Sequence, residues 1–310
     1  TLLAEAARLG GGELAVEAEL QRGEALLGTG DHAGAAEVFD AFVRANPDSA
    51  QRPGAQARLA IALARAGEHQ RAIDALNALG RDAASLDAPT RHAALYEVSW
   101  CHQALDEPRE AQRLLETLVA DSPREPLLAH SLLALGGLKA DEAASQTAAS
   151  ASIGPGETTQ EAAALFERAI AAAESAAAEQ ARSNDNAGNA AAMATVIEQA
   201  SYRLGACRLE LADFPGAADA LEPFATTFRD SDLRASALVL RGEALLNANR
   251  VQQAADAFQV VVDEHPASDQ VGPALLRLGE SLAVLQLWSR SEAAFAAWLE
   301  REPADDAEAA

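Results

Sequence analysis

Two cysteines and six histidines are the side chains in this chain best suited to metal or nucleophilic chemistry, and their spacing argues against both. Cys101 lies two residues after Ser99, and Cys207 two after Gly205. The same position of a recurring pattern elsewhere holds Ala25, Ala62, Ala244 and Ser281, so the column asks for a small side chain, which a buried thiol satisfies. Two pattern units separate the cysteines, far beyond the roughly 7 Å between Cα atoms that a disulfide spans. His32 and His69 share a column with Phe214, Val251 and Trp288, a half-buried place at a turn. His102 stands at an aromatic position, His265 precedes Pro266, and His92 and His130 lie near helix starts. None forms an HExxH, a Cys/His quartet or another ligand spacing. No serine sits in a nucleophile turn, and Gly10-Gly11-Gly12 reads as a helix stop instead of a phosphate loop. The chain is therefore predicted to be non-enzymatic, with no metal and no cofactor.

The elements that position these residues come from a repeat. Ala35, Ala72, Ala111, Ala162, Ala217, Ala254 and Ser291 form one column of small residues. Four positions after each stands Phe39, Leu76, Leu115, Phe166, Leu221, Phe258 or Phe295. Twelve positions before most of them is another small residue: Gly23, Ala60, Ser99, Gly205, Gly242 and Gly279. The preferred interval is 37 residues, with one of 39. A fixed period in this range predicts stacked helical hairpins, each unable to bury its apolar face alone. The small residues let two helices approach, and the large one fills the hole beside them.

These columns, with a closing proline at Pro47, Pro123, Pro266 and Pro303, resemble the tetratricopeptide repeat (TPR) over nearly the whole chain. The resemblance implies an all-α solenoid of about seven hairpins in a right-handed superhelix, with lengthened helices or loops around repeat four. Repeat two has Ala84 at the proline column and repeat five Arg229, so those turns must close differently. The 37-residue period and turns such as Pro47-Asp-Ser and Pro266-Ala-Ser are similar to TPR domains of bacterial envelope proteins. Examples are the Tol–Pal-associated periplasmic coordinator and the lipoprotein subunit of the outer-membrane β-barrel assembly machine. That similarity implies a periplasmic or envelope location, with a cytoplasmic one as the alternative.

The whole chain, 1–310, reads as a single solenoid. Residues 1–15 are a partial leading helix, and 16–139 hold repeats one to three with the first helix of repeat four. Residues 140–160 read as a flexible insertion, ending in a capping box, Thr158-Thr-Gln-Glu161, that opens the next helix. Residues 161–197 carry the second helix of repeat four and a protruding extension of two lengthened helices that meet at a turn. Repeats five to seven fill 198–303, and 304–310 is an acidic tail. The chain opens on Thr1 without Met, which reads as a processed protein or an excised fragment.

The formal charge of −23 argues against nucleic acid and anionic membrane surfaces. No apolar run approaches the roughly 18 residues of a membrane span. Arginine dominance with abundant alanine reflects a GC-rich coding sequence, with a salt-adapted host as the second reading. In the TPR frame, first helices line the inner wall, which places Tyr96, Trp100 and Gln103 of repeat three there. Tyr202 and Arg203 of repeat five, and Arg277 and Glu280 of repeat seven, join them. Aromatic and arginine side chains are the usual anchors for a bound peptide; packing between hairpins is the alternative role for the two tyrosines. The function expected is a protein–protein scaffold that binds a partner's peptide or helix. A sensor whose groove closes on a small molecule or peptide is the alternative. Phe295 and Trp298 face the place of a next hairpin, so that end is expected to self-associate or to continue into further chain.

Overall fold

The computed structural model describes residues 13–121, 125–149, 156–183 and 187–301. Among them are fifteen α-helices, one 3₁₀ segment and no strand. The first hairpins are α1 (Glu13–Gly28) with α2 (His32–Ala45), α3 (Arg52–Arg65) with α4 (His69–Asn77), and α5 (Ala88–Ala104) with α6 (Pro108–Ala120). Two long helices follow, α7 (Glu125–Ala149) and α8 (Glu157–Ser183). Next come α9 (Ala187–Glu210), α10 (Phe214–Ala220) and α11 (Pro223–Thr226). The last hairpins pair α12 (Arg234–Asn247) with α13 (Val251–Glu264), and α14 (Val271–Val284) with α15 (Trp288–Arg301). The chain divides into two compact units, Thr1–Leu138 and Lys139–Ala310.

Local chemistry sets the hairpins. Asp31, Asp87 and Asp213 cap α2, α5 and α10 by accepting the N–H groups of Gly34, Thr90 and Gly216. Between first and second helices the chain places one residue in the left-handed region: Gly30, Gly67, Asp106, Ala212, Asn249 or Gln286. Only glycine takes that conformation without steric cost.

The small column is fully buried from Ala35 to Ala254, and the large column holds Phe39, Leu115, Phe166, Leu221 and Phe258 with no exposure. Gly242 shows why its column is small: a Cβ there would lie 2.4 Å from the Phe258 ring. Leu76 is only partly buried, because α4 stops at Asn77. Repeat two then closes through the 3₁₀ segment Gly80–Ser85. Repeat five closes by splitting its second helix at Leu221 and Glu222 before Pro223, whose ring and missing N–H forbid an unbroken helix. Repeats two and five, which lack the closing proline, both have interrupted second helices, whereas repeat four, with Glu174 in that column, runs on unbroken through α8.

Each interruption is followed by an arginine at one repeat position. Arg91 donates to the Leu86 carbonyl at 3.3 Å and pairs with Asp121 at 2.8 Å, where the His92 Nε2 also sits 3.3 Å away. Arg234 donates to the Phe224 carbonyl at 3.1 Å, pairs with Glu264 at 2.5 Å, and has His265 Nε2 3.4 Å away. Arg91 and Arg234 each precede the first small residue (Ser99, Gly242) by eight positions. Asp121 and Glu264 each follow the central alanine by ten. Asp121 and Glu264 are both held below their ordinary carboxylate range, chiefly by the hydrogen bond from the arginine.

Around repeat four the expectation needs correction. Residues 140–149 are not loop: α7 runs through them. The stretch from Lys139 to Ala149 is rich in Ala and holds neither Gly nor Pro, so helix propensity carries it on. Lys139 pairs with Glu161 at 2.9 Å, and Thr158 donates to Gln146 at 3.2 Å, tying α7 to α8. The proposed capping box does not form, since α8 starts at Glu157 with the Gly156 carbonyl accepting the Thr159 N–H. The two lengthened helices expected beyond it are α8 and α9, which pack on each other with Ala169, Ala173, Met193 and Val196 buried. Residues 1–12, the rest of the insertion at 150–155, Pro123, Pro303 and the acidic tail lie outside the described residues.

Candidate functional site

In the first unit the first helices α1, α3 and α5 carry charged residues that pair from hairpin to hairpin. Arg58 on α3 bonds Glu24 on α1, and Arg65 on α3 pairs with Glu97 on α5 at 2.7 Å. In the second unit Arg277 on α14 reaches Glu243 on α12 at 3.6 Å. Glu24 and Glu243 occupy the position just after the first small residue of their repeats, and Glu280 fills it in repeat seven. Repeat three puts Trp100 there, 48% exposed.

Around Trp100 the predicted residues of the first unit do come together. Tyr96, one turn earlier on α5, stands edge-on to Trp100 with ring centroids 6.3 Å apart. The His130 ring, on α7, lies edge-on to the other side of Tyr96 at 6.5 Å. His130 Nδ1 is 2.7 Å from the Pro126 carbonyl and donates to it, which fixes the ring. Burial pushes the Tyr96 phenol above its ordinary value. Gln103, one turn beyond Trp100, has its Nε2 buried with no hydrogen-bond partner among the described residues. That donor is closed off from solvent, so it is an unpaired buried polar group and not a surface contact.

The second unit treats its predicted residues differently. Tyr202 on α9 packs edge-on to Phe224 at 6.3 Å, in a cluster with Leu221, Phe228 and Leu240. That is the packing role, as a wedge between hairpins. Arg203 is exposed. Arg277 pairs with Glu280 at 3.0 Å as well as with Glu243, and the Glu280 hydrogen bond raises its already high pKa. These carboxylates occupy the guanidinium that the prediction offered to a ligand.

Cys101 and Cys207 are buried and free, and burial lifts each thiol to about 11, so neither is a nucleophile near neutral pH. No group of three or more His, Cys, Asp or Glu is placed to hold a metal among the described residues. No described helix is long and apolar enough to cross a membrane. Phe295 and Trp298 are partly buried on α15, whereas Phe258 and Val261, their counterparts on α13, are fully covered. Val284, Trp288 and Leu299 of the same hairpin are exposed.

Sequence reasoning missed a groove of about 310 Å³ in the first unit, between α1, the turn into α3, and the start of α5. Leu20, Pro53 and Leu86 line it beside Glu17, Glu24, Arg58 and Asp87. Pairing across hairpins decides which of these charges are free, and nothing in the sequence reports that. It missed the Arg91 and Arg234 latches for the same reason, although their shared columns were a readable signal.

Stacked helical hairpins with one small and one large buried column, and charged first-helix faces, define the α-solenoid repeat class. The tetratricopeptide repeat profile matches residues 1–50, 20–88 and 202–269, together just over half of the chain, so the chain belongs to the tetratricopeptide repeat family. Members of this family bind other proteins and are generally non-catalytic. No curated protein matches the sequence. Among solved structures, the apo form of RapI is similar at a TM-score of 0.52 and 10% identity, over 92% of this chain and 75% of that one. The Pseudomonas aeruginosa pilF structure matches at 0.50 and 16%, over 87% and 97%. A tetratricopeptide repeat protein from Parabacteroides merdae ATCC 43184 matches at 0.47 and 13%, over 94% of each. At these identities the likeness is one of fold.

Proposed function

We propose that this chain is a non-catalytic scaffold that holds a peptide or helix of a partner protein on the inner wall of its first unit, with Trp100 as the anchor. The observation that supports it is the half-exposed Trp100 at a wall position occupied in repeats one, six and seven by carboxylates. Large aromatic side chains left in contact with water beside charged neighbours are the usual energetic centres of interfaces. Tyr96 buttresses the ring, and His130 backs Tyr96. The envelope setting is part of the proposal, supported by the 37-residue period and the Pro-x-Ser turns; a cytoplasmic setting is the alternative. In that role the hairpin bearing Phe295 and Trp298 is a second contact surface, for self-association or for following chain. A sensor reading draws support from the 310 Å³ groove with Glu17, Glu24 and Asp87 on its walls.

Site-specific crosslinking tests the scaffold reading. A photo-reactive residue at Gln103 should yield a discrete protein adduct in cells, and one at Arg44, on α2, should not. Adding Trp100→Ala should abolish the adduct. No adduct at Gln103, or equal adducts at both positions, would remove the anchor from this wall.

A further inference from the structure

Arg241 is a charged residue at a core position. The column just before the first small residue holds Leu59, Val98, Leu204 and Leu278 in four other repeats, all buried, and an exposed Arg22 in repeat one, whereas Arg241 is half-buried. Nothing near Arg241 plays the part that Glu264 plays for Arg234. Its hydrogen bond is a long one, 3.4 Å to the Ala218 carbonyl, and no carboxylate lies within ion-pair distance among the described residues. Asp219 and Glu222 act on it only at longer range. Desolvation lowers its pKa, as expected of a guanidinium pulled from water without a counter-ion.

The side chain borders a groove of about 260 Å³ between α11, α12 and α13. Arg234, Leu238 and Arg241 are spaced by four and three, so they share one face of α12. Glu243, which carries the wall pair to Arg277, lies on another face. This groove is therefore separate from the inner wall. Ala225, Leu238, Ala257 and Val260 make its sides apolar. Arg234 is consumed by its latch, and Gln253 accepts from Arg250, which leaves the Gln253 amide N–H groups as donors. Asp256 stands on the rim and accepts from Gln252.

We propose that this groove is a second binding site, for a carboxylate carried on an apolar chain, with Arg241 as its receptor. The guanidinium fork matches a carboxylate in two parallel hydrogen bonds, with Gln253 as a further donor. The apolar sides take the chain that bears it. Asp256, Asp219 and Glu222 disfavour a bare inorganic anion, which would bring no apolar contact to offset their repulsion. The carboxylate can come from a peptide C-terminus or from an acidic side chain.

Titration of the intact protein with sodium acetate, followed through arginine Nε–H signals, tests the site. The Arg241 signal should move saturably and further than that of Arg44, while phosphate leaves it in place. Three peptides of one apolar sequence then separate the sources: a free C-terminus, its amide, and the amide with one internal glutamate. One carboxylate form should bind about tenfold tighter than the plain amide. Arg241→Leu restores the residue typical of the column, so it should lose that preference while melting at the same or a higher temperature. An Arg241 signal unmoved by acetate overturns the proposal. So does a lower melting temperature for Arg241→Leu, which would make the arginine a structural partner of Asp219 and Glu222.

Discussion

The first helix of repeat three and that of repeat seven are built on the same columns yet present different surfaces. On α14, Arg277 lies between Glu243 and Glu280 and its charge is spent inside the array. On α5 the position equivalent to Glu280 holds Trp100, with Tyr96 and His130 behind it and an unsatisfied Gln103 amide one turn on. Paired surface charges contribute little to binding because breaking them costs as much as remaking them. A half-exposed indole brings apolar area that only a partner can cover. The difference teaches that the shared frame holds the hairpins together, while single replacements on the wall decide where a partner can dock.

If the frame is shared, core truncations should be equally costly in both units. Leu115→Ala in repeat three and Phe258→Ala in repeat six should each destabilise by about 3–5 kcal/mol, measured by denaturant unfolding. A loss under about 1 kcal/mol in one unit alone would show that the frames differ, and the comparison of walls would lose its basis.

The latches sharpen the comparison at a smaller scale. Arg234 is the more buried arginine, so Arg234→Met should cost about 1–3 kcal/mol by leaving the Phe224 carbonyl unsatisfied. Arg91→Met should cost less, because Arg91 is more exposed. The folded pKa values of Glu264 and Asp121 are depressed, so their stabilisation is present above the unfolded values, near 4.5 and 3.8. It disappears as pH falls from there through the lower folded values. Melting temperatures of wild type and Arg234→Met should therefore converge on acidification over that window; a constant gap would mean that Glu264 plays no part.

Much of this frame was legible in the sequence. Each small residue from Ala35 to Ala254 is buried where the column put it, and repeats two and five, with Ala84 and Arg229 at the proline column, close irregularly as expected. Helix ends near repeat four were less legible, because an alanine-rich stretch with loop-like serines is still a good helix when its neighbour packs against it. The site was half legible. Tyr96 and Tyr202 share a column, so the repeat frame assigned both to one wall. What separates them is tertiary: Phe224 and Phe228 gather Tyr202 into the core, while Tyr96 meets Trp100 and His130. The pairing of Arg277 depended on Glu243, one repeat away, which no spacing within a helix reveals.

The turns give the smallest effect. Gln286 and Asp106 both sit in the left-handed region, in repeats seven and three. Gln286→Gly should stabilise by about 0.5–1 kcal/mol, since the strain relieved exceeds the entropy lost. Asp106→Gly should gain less, because a short Asp side chain tolerates this conformation. Thermal melts resolve the order; an equal gain at both would show that residue type does not set the strain there.

The anchor role of Trp100 is tested most directly by the affinity of the captured partner, measured by calorimetry for wild type, Trp100→Ala and Arg277→Ala. Trp100→Ala should weaken binding by about 2 kcal/mol or more, roughly thirtyfold, with a melting temperature close to that of wild type. Arg277→Ala should change it by less than about 1 kcal/mol. Equal losses for the two variants, or a loss confined to Arg277→Ala, would contradict the account.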